Sequence, residues 1–410
     1  MNHHTGKYGF KLLAAALLSI TVSACQSQPG DRLTVVDPGD THRTGQQQPV
    51  RDGADGADGK RQLTVVRMPT EQAGRQVDVA GTHKIESARI QSWLSEDEVQ
   101  IETIRLVKAG TETEEPQYEY TTSIMNLLNG QIREPTGEEG QQMDGYMFVK
   151  ETKSPDGEYS FIQKWKDKYT ADNYVKDHRT GEMTQILGDN YLELGGWLNA
   201  DTFVLAAGSM NGRGEIRKIS AADGKVTTLP LEDPDVDVFT QFGVSHGRIY
   251  YTDNHQVLKV LDPGQTKPVS LIRDVWNFQL SPNSQYISVS TVTQSGAFQG
   301  SELLIYDSAG TLQGTLIGKG DLISYVTWSP DSDKLAFDVY TEKQPGMNGV
   351  YLFDTQSGQV SPLAPYYAPT EPLPHPTFPL SWSPSGHRLG ITVDDSNSQL
   401  VTQVIDFIFN

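Results

Sequence analysis

Val326-Thr327-Trp328-Ser329-Pro330-Asp331-Ser332-Asp333-Lys334-Leu335-Ala336-Phe337, followed by Val350-Tyr351-Leu352-Phe353-Asp354-Thr355-Gln356-Ser357-Gly358-Gln359-Val360, is the stretch on which the fold turns. It reads as four short strands: an apolar strand, a Ser-Pro-Asp turn, a second apolar strand, a longer loop, a third strand ending at Asp354, a Gly358 turn and a fourth strand. Pro330 presets φ for the turn and Asp331 can bond back to the backbone, so the tripeptide stops one strand and starts its neighbour. Gly358 does the same between the third and fourth.

The pattern recurs on both sides. Trp276-Asn277-Phe278-Gln279-Leu280-Ser281-Pro282-Asn283 pairs with Leu304-Ile305-Tyr306-Asp307-Ser308-Ala309-Gly310, and Leu380-Ser381-Trp382-Ser383-Pro384-Ser385-Gly386 opens another copy. Ser154-Pro155-Asp156-Gly157 goes with Tyr174 to Gly181. Weaker copies start at Trp197 (with Ala222-Asp223-Gly224), at Val244 (with Leu261-Asp262-Pro263-Gly264) and at Trp93 (with Leu128-Asn129-Gly130). Seven units at spacings of roughly 36 to 60 residues predict an all-β β-propeller of four-stranded blades, seven in number, with six or eight still open.

These residues resemble the TolB-like, WD40-like repeat family, whose signature is an aromatic or apolar strand, Ser-Pro-Asp-Gly and a further apolar strand. The resemblance covers about residues 84 to 410 and implies a closed ring of small sheets around a channel. It speaks for fold and little for function. TolB itself carries an α/β domain before its propeller, for which this chain leaves little room.

Closure requires the ring to leave no sheet edge unpaired. The strongly β-forming Leu400 to Asn410 should supply late strands of the last blade, with Leu63-Thr64-Val65-Val66-Arg67-Met68 expected as the closing strand.

The first residues carry Lys7 and Lys11 ahead of an 11-residue apolar run, Leu12 to Val22. That is the order of a secretory leader, and the run is too short to span a bilayer as a lasting helix. Ser23-Ala24-Cys25 follows directly. It resembles a lipobox, with Val22 where Leu is usual. Residues 1–24 are therefore expected as a signal peptide cleaved between Ala24 and Cys25, and Cys25, the only cysteine, as a lipidated (palmitate-bearing) anchor. No second cysteine exists to pair with it, and about two acyl chains make a stable membrane anchor. Residues 25–60 are rich in Gly, Asp, Gln and Pro, cannot bury a core and are expected as a flexible tether. Residues 61–410 are expected as the propeller.

With 33 Lys and Arg against 52 Asp and Glu, the net charge is −19. Such acidity argues against nucleic-acid partners and against docking on anionic lipid heads. The Gly243-Val244-Ser245-His246-Gly247 run matches a nucleophile elbow literally, but Arg248-Ile249-Tyr250-Tyr251-Thr252 after it reads as strand where the elbow needs a helix. The histidines beyond the leader, His42, His83, His178, His246, His255, His375 and His387, show no metal-ligand spacing. No metal or cofactor is implied.

In this strand order the turns after the first and third strands share one face. The loops after the second and fourth share the other, around the channel mouth. The mouth loops carry the longer, more varied sequences, where binding residues collect. They nominate Trp165, Tyr169, Phe298, Tyr366, Tyr367, His375 and Phe378 as a candidate binding face, with the acidic Glu232 to Asp237 loop beside them. The sequence reading is a monomeric, lipid-anchored module on the extracytoplasmic face of the cell membrane, binding an envelope protein or polymer. A channel enzyme of the lyase or hydrolase type acting on a polymer stays open, as does a cation-dependent adhesion module resting on the acidic loop.

Overall fold

The computed structural model describes residues 34–36, 64–66, 77–110, 117–136, 148–167, 170–188, 191–208, 213–295, 298–314, 316–342, 348–363, 376–394 and 400–409. Among them every regular element is a strand, and twenty-eight of the strands form seven four-stranded antiparallel sheets. The protein is a seven-bladed β-propeller. Blades 1 to 6 span 88–133, 148–186, 191–229, 242–272, 275–320 and 326–362. Blade 7 takes three strands from 381–409 and its outermost strand from Val77–Glu86. Strands are lettered A to D from the axis outward, and the A strands of successive blades lie side by side around the channel from blade 3 through blade 7 to blade 1.

The repeat signature works as a small hydrogen-bonded device. In blade 6, Ser329 Oγ donates to Asp331 and accepts from Lys334 N at 2.9 Å, while Asp331 Oδ1 accepts from Asp333 N at 3.1 Å. Ser154 with Asp156 in blade 2 and Ser281 with Asn283 in blade 5 repeat the geometry, at 2.6 and 2.8 Å. A serine two residues before Asp or Asn thus satisfies the backbone of the A–B turn at the point where the chain leaves the ladder.

Tryptophan at the end of strand A stitches blade to blade. The indole N–H groups of Trp197, Trp328 and Trp382 donate to the carbonyls of Thr152, Gln279 and Thr327 in the A strand of the preceding blade, at 2.8, 3.3 and 3.2 Å. Trp93 donates to Ser381 Oγ at 2.9 Å and so bridges blade 1 to blade 7. The core lies between blades. Phe161 of blade 2 stacks on Phe203 of blade 3 with centroids 4.1 Å apart, and Leu303 and Ile305 of blade 5 join Trp328, Leu335 and Phe337 of blade 6.

The closing strand differs from the sequence expectation. Val77–Glu86, not Leu63 to Met68, pairs antiparallel with the terminal strand Leu400–Phe409, from Val77 opposite Phe409 to Glu86 opposite Val401. Chain continuity explains it. Ser87, at φ 56° and with its N–H bonded to Leu400 O at 2.7 Å, is the single residue between this outer strand and Ala88, which begins blade 1. A ten-residue strand also covers the full length of its ten-residue partner. Thr64–Val66 instead pairs in parallel with Thr34–Val36, inside the stretch expected as tether. Both are the β-branched part of a Leu-Thr-Val-Val sequence, at 33–36 and 63–66, and such residues favour extended backbone.

Candidate functional site

The two faces of the ring are built differently. On the turn face, A–B and C–D turns bond to one another: Thr355 N to Asp333 O at 2.8 Å, Gln356 Nε2 to Asp333 Oδ2 at 2.8 Å, His178 N to Glu158 O at 2.9 Å. These short loops use their polar groups on themselves. On the mouth face the B–C hairpins of blades 1 and 5 extend well beyond their neighbours, with strands of ten or eleven residues.

Between blades 4 and 5 the mouth face holds a cleft of about 390 Å³, lined by Val238, Gln241, Asp253, Asn254, Trp276 and Asn277 among others. Trp276 is its most distinctive wall. Strand A of blade 5 shifts register between Val275, opposite Thr291, and Asn277, opposite Ser290, so Trp276 is an extra residue in a bulge. A bulge re-aims a side chain that regular pairing would direct elsewhere. Here it leaves the indole 57 % exposed while its neighbour Val275 is buried.

The opposite wall is held by a buried ion cluster. The loop from blade 3 to blade 4 brings in Asp233 and Asp235, the B–C loop of blade 4 brings in Asp253, and Lys259 on strand C reaches all three. Its Nζ lies 2.9 Å from Asp233, 2.8 Å from Asp253 and 3.3 Å from Asp235. Tyr251 OH donates to Asp233 at 2.7 Å. Burial works against the Lys259 charge, but the hydrogen bonds to Asp253 and Asp233 outweigh it and raise the ammonium pKa. Burial would likewise raise Asp253, yet Lys259 and the backbone N–H groups of Val257 and His255 bring it below the usual carboxylate range. Burial, then the bond to Asp233, drives the Tyr251 phenol strongly upward. Lys259 therefore offsets part of the acidic loop's charge from inside the protein, one ammonium against three carboxylates.

Of the residues nominated from sequence, Trp165 ends strand B of blade 2 and is buried, so the interior takes its ring where a binding role asked for exposure. Phe378 is half-buried and stacks under the guanidinium of Arg89, 4.4 Å from the ring centroid. Arg89 in turn pairs with the buried Glu102 at 2.7 Å. Phe378 thus fastens the last interblade loop to blade 1. Tyr169, Tyr366, Tyr367, His375, Ala24 and Cys25 lie outside the described residues, and of Phe298 only the backbone, which opens strand C of blade 5, is described.

Trp276 is the residue that sequence reasoning missed as a site. The signal was its register: Trp93, Trp197, Trp328 and Trp382 each end strand A, whereas Trp276 stands second in its strand, at the mouth end. The elbow-like serine resolves as a hairpin. His246 (φ 48°) and Gly247 (φ 75°) form a two-residue turn of the type that joins antiparallel strands, and Ser245 sits opposite Arg248. His178, His246 and His387 all lie at the turn face, and among the described residues no group of three or more His, Cys, Asp or Glu is arranged to hold a metal ion.

No family model and no curated protein matches the sequence. Solved structures do. An oligogalacturonate lyase in complex with manganese is 10 % identical, covering 82 % of this chain and 99 % of its own, with a TM-score of 0.52. The β-propeller domain of the trilobed protease from Pyrococcus furiosus is 14 % identical over 79 % of this chain and 94 % of its own, at TM-score 0.46. TolB from Acinetobacter baumannii is 13 % identical over 74 % of this chain and 79 % of its own, at TM-score 0.36. At these identities the likeness is one of fold.

Proposed function

We propose that the protein is a lipid-anchored binding module of the cell envelope, held to the extracytoplasmic face of a membrane through Cys25 and engaging a partner through the mouth face of its propeller. The observation that carries this reading is Trp276, a large aromatic side chain left exposed by a bulge beside a concave, polar-lined cleft on a rigid ring. Exposed tryptophan next to a cleft is the residue type on which binding energy concentrates. The titratable groups nearest the cleft also favour binding over acid–base chemistry. Asp253 and Lys259 are fixed in mutual ion pairs, and their pKa values move away from neutrality, the opposite of what a proton-transferring pair needs.

Affinity capture from intact cells tests the reading. Trp276→Ala with Val238→Ser should abolish recovery of whatever the wild type captures, whereas Gln356→Ala on the turn face should leave it unchanged. Equal recovery by all three would contradict it.

A further inference from the structure

The geometry points to a ligand class for the cleft between blades 4 and 5: an uncharged saccharide unit of a glycan, stacked on Trp276. This rests on the proposal that the mouth face is the binding face, and adds the chemistry of what binds there.

The cleft's charge comes first. No Lys, Arg or His contributes to its lining, and its only ionised group is Asp253. Both oxygens of that carboxylate are committed: Oδ1 accepts from His255 N at 2.8 Å and Val257 N at 2.9 Å, and Oδ2 pairs with Lys259 Nζ at 2.8 Å. An anionic ligand would find no cation there, since Lys259 is 8 % exposed and already shared among three carboxylates. A cationic ligand would find no free carboxylate oxygen in the lining to pair with, although the cluster behind it is net negative, which is why a cationic probe belongs in the test. What remains is neutral polar chemistry.

That chemistry is amide and hydroxyl. Gln241, Asn254, Gln256 and Asn277 bring four carboxamides, and Thr240 brings a hydroxyl, 3.1 Å from that of the buried Thr252. A carboxamide offers two donor hydrogens and an accepting oxygen, the mixed pattern that a ring of vicinal hydroxyls requires. Such groups do not distinguish ligands by charge. Asn254 is itself held by Asp237, its Nδ2 donating at 2.8 Å and its Oδ1 accepting from Asp237 N at 3.2 Å, so part of the lining is fixed in place before any ligand arrives.

The indole supplies the other half. A pyranose presents an apolar face of axial C–H bonds and an equatorial belt of hydroxyls. The electron-rich face of an aromatic ring attracts the weakly positive C–H edge. A flat, exposed Trp276 beside the apolar Val238, 47 % exposed, with the carboxamides around them, is complementary to both parts of such a ring at once. The volume of about 390 Å³ lies in the range of small-ligand clefts and is open to the mouth, as one unit of a longer chain would need.

The test uses the full chain and calorimetric titration with cellobiose, maltose and N,N′-diacetylchitobiose as uncharged probes, digalacturonate as an acidic probe and chitobiose as a cationic one. We expect at least one uncharged disaccharide to bind, with affinity changing little between about 0.05 and about 0.5 M salt because no ion pair is made. Trp276→Ala should weaken it by at least about tenfold, with Trp276→Phe between the two, as befits an aromatic hot spot. The side chain is exposed, so thermal melts of these variants should match wild type. Binding of the charged probes alone, of none of the five, or binding equal in wild type and Trp276→Ala would overturn the saccharide assignment. If cellular capture through the mouth still depends on Trp276 while no saccharide binds, the ligand class falls and the binding-face reading stands. If saccharides bind but capture is indifferent to Trp276, the converse holds.

Discussion

Lys259 joins three carboxylates from two different loops. It is a buried cation facing Asp233, Asp235 and Asp253, and it ties the loop from blade 3 and the B–C loop of blade 4 to one strand. Removing one member of such a cluster leaves uncompensated buried charge. Lys259→Met should therefore cost about 3–5 kcal/mol in urea unfolding near neutral pH. The pH dependence has two signs. Asp253 is depressed in the folded protein, so its contribution is present above the unfolded carboxylate value of about 3.9 and is lost as pH falls through the folded one. Lys259 is raised, so its contribution is present below about 10.4 and is lost as pH rises through the folded value. Asp253→Asn should flatten the acid limb of a stability-versus-pH curve measured by denaturant melts. Ser245 is the opposite case: its Oγ has no hydrogen-bond partner among the described residues, so Ser245→Ala should change stability by no more than about 0.5 kcal/mol. Ser245 was legible in the sequence, since the strand after it excludes the elbow; Lys259 was not, although it interrupts the apolar Leu258-Lys259-Val260-Leu261. That Lys259 would meet the acidic loop depended on a contact 24 to 26 positions away, which local pattern does not encode.

At the scale of elements, the closing strand is the decisive one. Because Val77–Glu86 covers Leu400–Phe409 and runs through Ser87 into blade 1, a chain beginning at residue 70 should melt as the longer protein does. A chain beginning at residue 88 should expose the edge of the last strand and aggregate or unfold. Equal stability of the two in thermal scans would count against the closure described here. The Ser-Pro-Asp turns are smaller contributors: Ser154→Ala or Ser329→Ala should each cost about 1–3 kcal/mol, because each leaves buried backbone N–H groups without their acceptor. The repeat turns were fully legible, since Pro, Gly and Asp act through local geometry. The closing strand was misplaced because Leu63 to Met68 has the stronger β propensity, and chain connectivity at Ser87 overrode propensity.

For the whole molecule, seven units read from turn spacing became seven blades, and the loop before blade 4 and the B–C loop of blade 4 line one cleft, as the strand order predicts. The site was less legible. Aromatic residues in long loops were the visible cue, but Trp165 is buried and Phe378 is clamped by Arg89. The exposed indole lies in a strand, at a bulge that alternation patterns do not reveal. If the anchor proposal holds, Cys25→Ala should move the protein from the membrane to the soluble fraction with its thermal melt unchanged, because the described strands of the blades begin at Val77. Binding through the mouth face is tested by placing a photo-crosslinking amino acid, in separate strains, at Val238 on that face and at Ala309 in a turn on the other. Adducts should form in intact cells from position 238 and disappear when Trp276→Ala is added, and none should form from position 309. Adducts of equal yield from both positions, or from 309 alone, would contradict binding through the mouth face.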